Sequence, residues 1–115
     1  MKCFAQALDL KNDPKLIAEY KEWHTRVWPE VLNGLRELGI RNMRIFLMGT
    51  HLFMYYEAPD GFDPARDYQK YAQHPRVREW DQFMRGFQQR VAEARPETGE
   101  WWTAMELVFD LETAK

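Results

Sequence analysis

Two apolar runs in the middle of the chain constrain its fold more than any other feature. The segment NMRIFLMGTHLFMYYEA, residues 42–58, is rich in Ile, Phe, Tyr and Met, and Gly49-Thr50 divides it in two. Two such runs joined by a short glycine-containing step predict a β-hairpin. A sheet with one solvated face alternates apolar and polar residues, whereas these strands are apolar on both alternations. The hairpin therefore predicts a sheet that is covered on both faces.

A strand and a long helix are predicted before the hairpin. Residues 2–10 alternate loosely, which is typical of a strand. Asp13-Pro14 begins the helix, because a carboxylate can cap it and a proline is tolerated in its first turn. Gly39 ends it in a left-handed conformation. Pro29 lacks an N–H, so a kink is expected there. Between these signals, apolar and aromatic residues recur at steps of three and four: Leu16, Ile17, Tyr20, His24, Val27, Trp28, Val31, Leu35 and Leu38.

A second helical region and a last strand are predicted after the hairpin. The helical region runs from about residue 64 to 93 and is broken near His74-Pro75, and WWTAMELVFDL, residues 101–111, forms the strand. The order is then strand, helix, strand, strand, helix, strand, which is the ferredoxin-like βαββαβ motif. We expect one α+β domain over residues 1–115, with an antiparallel sheet and both helical regions on one face. A second copy of the chain is the simplest cover for the other face, giving a homodimer of the dimeric α/β-barrel type.

Composition narrows the partners and the compartment. The 115 residues carry a formal net charge of −2 with both signs interspersed, so nucleic acid is a poor candidate partner. No stretch is long and apolar enough to span a bilayer, and the N-terminus does not resemble a signal peptide. The single cysteine, Cys3, cannot form an internal disulfide. We expect a cytoplasmic protein without membrane partners.

The strongest candidate site lies on the first helix. Tyr20 and His24 are four residues apart and share one face, which Trp28 continues one turn later. The hydroxyl of Tyr20 and the ring nitrogens of His24 on this apolar face need hydrogen-bond partners or a pocket that contains water. The alternative is a histidine that is merely a satisfied core residue. Arg44, inside an apolar strand, and Glu57, at the end of LFMYYE, are further leads. The histidines and the cysteine show no paired ligand spacing, so no metal or other cofactor is expected.

These residues resemble a known signature. The pattern YxxxHxxxWPEV, formed by Tyr20, His24, Trp28, Pro29, Glu30 and Val31, resembles that of the L-rhamnose mutarotase family. The stretches GIRNMRIFL, GTHLFMYYE, PRVREWDQFM and MELVFDL extend the resemblance over nearly the whole chain. It implies a ferredoxin-like chain that dimerises through its sheets. It also implies a cofactor-free isomerase that interconverts the α and β anomers of a 6-deoxy-L-hexose.

The resemblance also suggests roles for individual residues. It makes His24 the proton donor and Tyr20 a contact to the sugar. The family's tryptophan pair on the second helix is matched by Trp80-Asp81, and a tyrosine that contacts the substrate is matched by Met43. These two departures leave the sugar open between L-rhamnose and L-fucose. The stretches CFAQALDL, GTHLFMYYE and REWDQFM resemble more closely the sequences of members associated with L-fucose.

Other roles follow from the chemistry of the reaction. Mutarotation opens a hemiacetal ring and closes it on the other face of the aldehyde, so a group titrating near neutrality serves both directions. Trp28 and Trp80 can offer apolar faces to the sugar. Asp81 and Glu57 are candidates for the second acid or base, and Arg44 is a candidate anchor for a hydroxyl.

Two rival functions remain at this point. A haem-degrading or cofactor-free monooxygenase can use the same dimeric fold, because a fold alone does not choose an activity. A non-catalytic sugar-binding or dimerisation module is the other rival. Both leave the cluster of His24 and WPE unexplained.

Overall fold

The chain folds into an antiparallel sheet whose one face is covered by helices. The computed structural model describes residues 1–114. In chain order its elements are β1 (Lys2–Leu10), α1 (Pro14–Trp23), α2 (Pro29–Glu37), β2 (Arg41–Met48), β3 (His51–Ala58), α3 (Pro64–Tyr71), α4 (Pro75–Arg85), β4 (Gln88–Gln89), a 3₁₀ turn (Pro96–Thr98) and β5 (Thr103–Ala104). The strand order is β2-β3-β1-β4, and β5 also pairs with β1. This mixed architecture confirms the predicted α+β sheet.

The central hairpin is present as predicted. β2 and β3 pair antiparallel, with Ile45 opposite Met54 and Phe46 opposite Phe53. Alternate residues of β3 are buried under the helices, namely Leu52, Met54, Tyr56 and Ala58. Phe46 and Phe53 point to the other face and are 56% and 38% exposed. The second face of the sheet is thus apolar and open in the single chain.

The prediction of one long helix over residues 14–38 is wrong, because two helices with a break between them occupy that stretch. α1 ends at Trp23 and α2 begins at Pro29. Trp28 has an extended backbone (φ −60°, ψ 140°), the conformation that a following proline favours. Pro29 then occupies the first turn of a new helix, where its missing N–H costs nothing. Gly39, with φ 84°, follows α2 in the predicted left-handed conformation.

The second helical region is broken at His74-Pro75 as predicted, but it ends earlier than expected. α4 stops at Arg85, and the chain turns at Gly86 into the short strand β4, which pairs with the end of β1. Residues 86–93 are therefore outside the helix. The pairing of Gln88 with Leu10 and of Gln89 with Asp9 holds the backbone in the sheet instead.

The predicted last strand is much shorter in the structure. Only Thr103–Ala104 form β5, and the ladder to β1 ends where the N–H of Met105 donates to the carbonyl of Ala5. An alternating apolar sequence forms a strand only where a partner strand meets it. The segment beyond β5 is irregular and leaves large apolar side chains exposed: Met105, Leu107, Val108, Phe109 and Leu111.

Two apolar clusters fill the space between the sheet and the helices. The larger joins Leu8, Leu10 and Leu52 of the sheet to Tyr20 and Trp80 of the helices. The smaller lies under β3 and α3: Ile40, Met54, Tyr56, Ala58 and Phe62. Within residues 1–114, none of the helices is long and apolar enough to cross a membrane.

Candidate active site

His24 owes its position to the end of α1. It is the C-terminal cap of that helix, and its Nδ1 lies 2.8 Å from the backbone carbonyl oxygen of Tyr20. A carbonyl oxygen only accepts hydrogen bonds, so Nδ1 carries the hydrogen. In the neutral ring, Nε2 then holds the free lone pair. The imidazole is thus fixed as a tautomer that can accept a proton at Nε2.

Aromatic rings surround this imidazole. Between ring centroids, Tyr20 lies 4.2 Å from it and Trp80 lies 5.8 Å from it, the latter at an interplanar angle of 67°. Burial lowers the pKa of His24, and the hydrogen bond to the Tyr20 carbonyl opposes that effect only partly. His24 is therefore neutral at pH 7.

Tyr20 is the second polar group of the site. It is 4% exposed, and burial raises the pKa of its phenol to about 12, with the neighbouring Gln88 acting in the opposite direction. The phenol therefore keeps its proton at neutral pH and can donate it. The buried amide of Gln88 was not found from the sequence, because β4 was predicted to be helix. Recognising that Gly86 ends α4 could have revealed it.

A small cavity opens beside these two side chains. Its volume is about 180 Å³, below the ~300–1,000 Å³ of typical drug-sized sites, so only a small ligand fits. α1 contributes Tyr20, Lys21 and His24, and the hairpin contributes Ile45, Leu47 and Leu52. The cavity thus combines three polar side chains on one wall with an apolar wall opposite.

Of the two predicted tryptophans, Trp80 lies beside the histidine and Trp28 packs against Trp80. Trp28, the residue before α2, lies 5.2 Å from Trp80 between ring centroids, and Trp80 is only 5% exposed. Asp81 follows Trp80 on α4 and is partly buried. Burial raises the pKa of Asp81 to about 6, opposed by Arg85, and its charge acts on Tyr71.

The remaining predicted site residues lie elsewhere. Met43 packs against the smaller apolar cluster under β3. Arg44 pairs with Tyr55 across the hairpin, and Glu57 accepts hydrogen bonds from the Tyr55 hydroxyl (2.7 Å) and the Asn42 amide. These pairs lie on the sheet face that points away from the helices. The fold brings Tyr20, His24, Trp28 and Trp80 together, but it does not bring Arg44 or Glu57 to them.

Comparison with known proteins decides the family. The sequence profile of the L-rhamnose mutarotase family matches residues 3–111. The chain belongs to this family. It is 35% identical to an L-fucose mutarotase of Xanthomonas campestris, over 99% of this chain and 91% of that protein. It is 55% identical to a UPF0734 protein of Dictyostelium discoideum, over 99% and 93% of the two chains.

A solved structure supports the fold of this mutarotase family member. The crystal structure of an L-rhamnose mutarotase from Formosa agariphila matches with a TM-score of 0.71 at 24% identity, over 96% of this chain and 99% of that one. At that identity the match shows the ferredoxin-like fold alone. The prediction of a sugar mutarotase is confirmed by the family and its relatives, and neither rival function is favoured by them.

Proposed function

We propose that this chain interconverts the α and β anomers of a 6-deoxy-L-hexose, either L-fucose or L-rhamnose. The observation that carries the proposal is the pairing of His24 and Tyr20 in one cavity. The neutral imidazole offers a free Nε2 lone pair, and the adjacent phenol offers a proton. A base and an acid side by side are the two groups that opening a hemiacetal needs.

The reaction can be written with these two side chains alone. Nε2 of His24 takes the proton of the anomeric hydroxyl as the bond from C1 to the ring oxygen breaks. The Tyr20 hydroxyl gives its proton to that ring oxygen, which leaves an open-chain aldehyde. After the aldehyde rotates, both protons return and the ring closes on the other face. His24 is thus a base in opening and a proton donor in closing.

The apolar wall of the cavity suits a deoxy sugar. Ile45, Leu47 and Leu52 can bury the methyl group at C6, which has no hydroxyl to leave unpaired. Burying a hydroxyl without a partner costs roughly 1–3 kcal/mol. Lys21, at the rim, can donate to a sugar hydroxyl. We keep Trp28, Trp80 and Asp81 as proposed contributors to binding, and we leave out Arg44 and Glu57, which lie on the opposite sheet face, and Met43, which packs against the smaller apolar cluster.

A matched pair of sugars tests the substrate class. L-Galactose differs from L-fucose by a hydroxyl at C6, so we expect anomer exchange of L-fucose to be accelerated more strongly at equal enzyme concentration. L-Rhamnose, another 6-deoxy-L-hexose, shows which sugar is preferred. Equal acceleration of L-fucose and L-galactose would show that burial of the C6 methyl group does not determine the substrate preference.

We also propose a homodimer that packs through the open sheet face. That face holds a cavity of about 260 Å³ lined mainly by apolar side chains, including Phe46, Met48, Phe53 and Met105. Exposed apolar patches of this kind mark interaction sites in proteins. A cytoplasmic location is proposed as well, supported by the lone, unpaired Cys3.

A further inference from the structure

The WPE signature contains a carboxylate that the proposed chemistry does not use. Glu30 lies in the first turn of α2, and its Oε1 is 3.6 Å from Nε of Arg76 on α4. Its other oxygen, Oε2, is buried and accepts no hydrogen bond from any residue in 1–114. A partly buried carboxylate is costly unless a cation accompanies it. Arg76 is the cation that lies beside this carboxylate.

Arg76 in turn is held over an aromatic ring. Its guanidinium carbon lies 3.9 Å from the centroid of the Trp28 ring, within the range of a cation–π interaction. Its Nη1 is 2.7 Å from a carboxylate oxygen of Glu79, one turn along α4. Carboxylates from two helices thus fix one guanidinium on the face of Trp28.

The aromatic packing continues from Trp28 to the site. Trp28 contacts Trp80 edge to face at 5.2 Å, and Trp80 contacts His24 at 5.8 Å. We propose that Glu30 and Arg76 are positioning residues that hold Trp28, and through it Trp80, against His24. This inference rests on the proposed role of His24 in mutarotation. It explains why a glutamate accompanies the tryptophan and proline in the signature.

The arrangement has a chemical consequence at the histidine. Trp80 packs against the imidazole, and burial of the ring among its neighbours is the main influence on the pKa of His24. If Trp80 is released, water reaches the ring, and the pKa of His24 rises towards its ordinary value. Loss of the clamp formed by Glu30 and Arg76 is therefore visible in the titration of His24.

The test compares Arg76→Met, Glu30→Gln and the double variant. Arg78→Met is the matched control, since Arg78 is an exposed arginine two residues further along α4. The measurements are an NMR pH titration of the His24 ring, and kcat and KM for anomer exchange. We expect each single variant to raise the pKa of His24 and to lower kcat about two- to fivefold, the scale of a cation–π contact. Arg78→Met changes neither.

The double variant decides whether Glu30 acts through Arg76. The proposal requires that Glu30→Gln has no additional effect once Arg76 is already Met. An equal loss in both backgrounds would overturn it, since Glu30 would then act directly. Arg76→Lys keeps the charge but not the flat stacking group, and we expect it to restore part of kcat.

Two further outcomes separate this inference from the function. If Arg76→Met leaves the titration of His24 unchanged in a folded protein, the clamp is refuted even though anomer exchange persists. If the wild-type protein exchanges no anomers, the proposed function fails. The titration of His24 still tests the clamp in that case, because it needs no substrate.

Discussion

The carbonyl oxygen of Tyr20 accepts two hydrogen bonds from His24, one from its backbone N–H at 3.2 Å and one from its ring Nδ1 at 2.8 Å. The spacing of four residues along α1 makes both possible, since residues i and i+4 are neighbours on a helix. The last helical turn therefore closes on the same oxygen that fixes the tautomer of the imidazole. An inward-pointing histidine is thereby prepared to exchange a proton at Nε2.

The rate of anomer exchange should depend on pH through the protonation of His24. Burial lowers the pKa of His24, and the neutral ring is the reactive form in ring opening. We expect kcat/KM to be flat around neutrality and to fall as pH decreases through this lowered pKa. The measurement is the pH profile of anomer exchange after subtraction of the exchange in buffer. A rate that increases as the pH decreases would show that the imidazolium is the form required.

The free energy of unfolding should also decrease as the pH decreases through the pKa of His24. Its pKa is lower in the folded than in the unfolded chain, so the unfolded chain binds the proton more readily. The contribution of His24 to stability is complete above the unfolded value and is lost as pH falls through the folded one. Denaturant titrations of the wild type and of His24→Gln over a range of pH should therefore differ in their pH dependence, and His51→Gln, at an exposed histidine of the hairpin, is the control.

Removing one hydroxyl tests the proposed acid. Tyr20→Phe keeps the ring that packs on His24 but removes the proton donor. We expect kcat to fall by ~10²–10⁴-fold, the usual contribution of positioned proton transfer, while the free energy of unfolding changes by about 1 kcal/mol. Tyr55→Phe is the matched control, because that hydroxyl bonds Glu57 on the opposite sheet face. A Tyr20→Phe protein that retains full kcat would assign the acid to another group.

The sequence was most informative where local chemistry and tertiary packing agree. The hairpin could be predicted because Gly49 turns at φ 62° and both strands are strongly apolar. Tyr20 and His24 could be paired because they belong to the same short helix and its cap. Trp80 contacts His24 from another helix, and periodicity alone does not predict that contact.

The errors also have physical causes. The apolar period continues from α1 into α2, which hides the break, and only the extended backbone before Pro29 reveals it. β4 is two residues long and carries two glutamines, so it has no alternation to detect. The side of the sheet that Arg44 faces depends on the irregular register of β2 between residues 41 and 44, which the sequence does not show.

Asp81 gives a prediction about stability. Burial raises its pKa to about 6 from an ordinary value of 3.8, so the folded chain binds this proton more readily than the unfolded chain. The resulting stabilisation is complete below the unfolded value and is lost as pH rises through about 6. Asp81→Asn should therefore raise the free energy of unfolding at pH 7 by on the order of 1–2 kcal/mol.

Urea titrations of Asp81→Asn at pH 5 and pH 7 provide the test. The gain over the wild type should be larger at pH 7, and equal gains at both values would contradict the assignment. The same protein gives information on the chemistry. A loss of anomer exchange in the stabilised variant would show that the reaction needs Asp81 in addition to His24 and Tyr20.

The oligomeric state of the protein tests whether the chain dimerises through the open sheet face. Phe46 lies on that face and is 56% exposed in the single chain. We expect Phe46→Lys to shift the protein from dimer to monomer in sedimentation velocity, because a buried, unpaired ammonium is strongly unfavourable. Gln69→Lys adds the same charge on the exposed side of α3 and should remain a dimer. A wild-type chain that sediments as a monomer at micromolar concentration would contradict the proposed dimer.

The most direct test of the central claim is saturation-transfer NMR between the anomeric protons of L-fucose and of L-rhamnose, with wild-type protein, with His24→Ala and with buffer alone. We expect exchange well above buffer for at least one sugar with the wild type, and exchange near the buffer level with a folded His24→Ala protein. Acceleration that survives the substitution, or no acceleration of either sugar by the wild type, would contradict that claim.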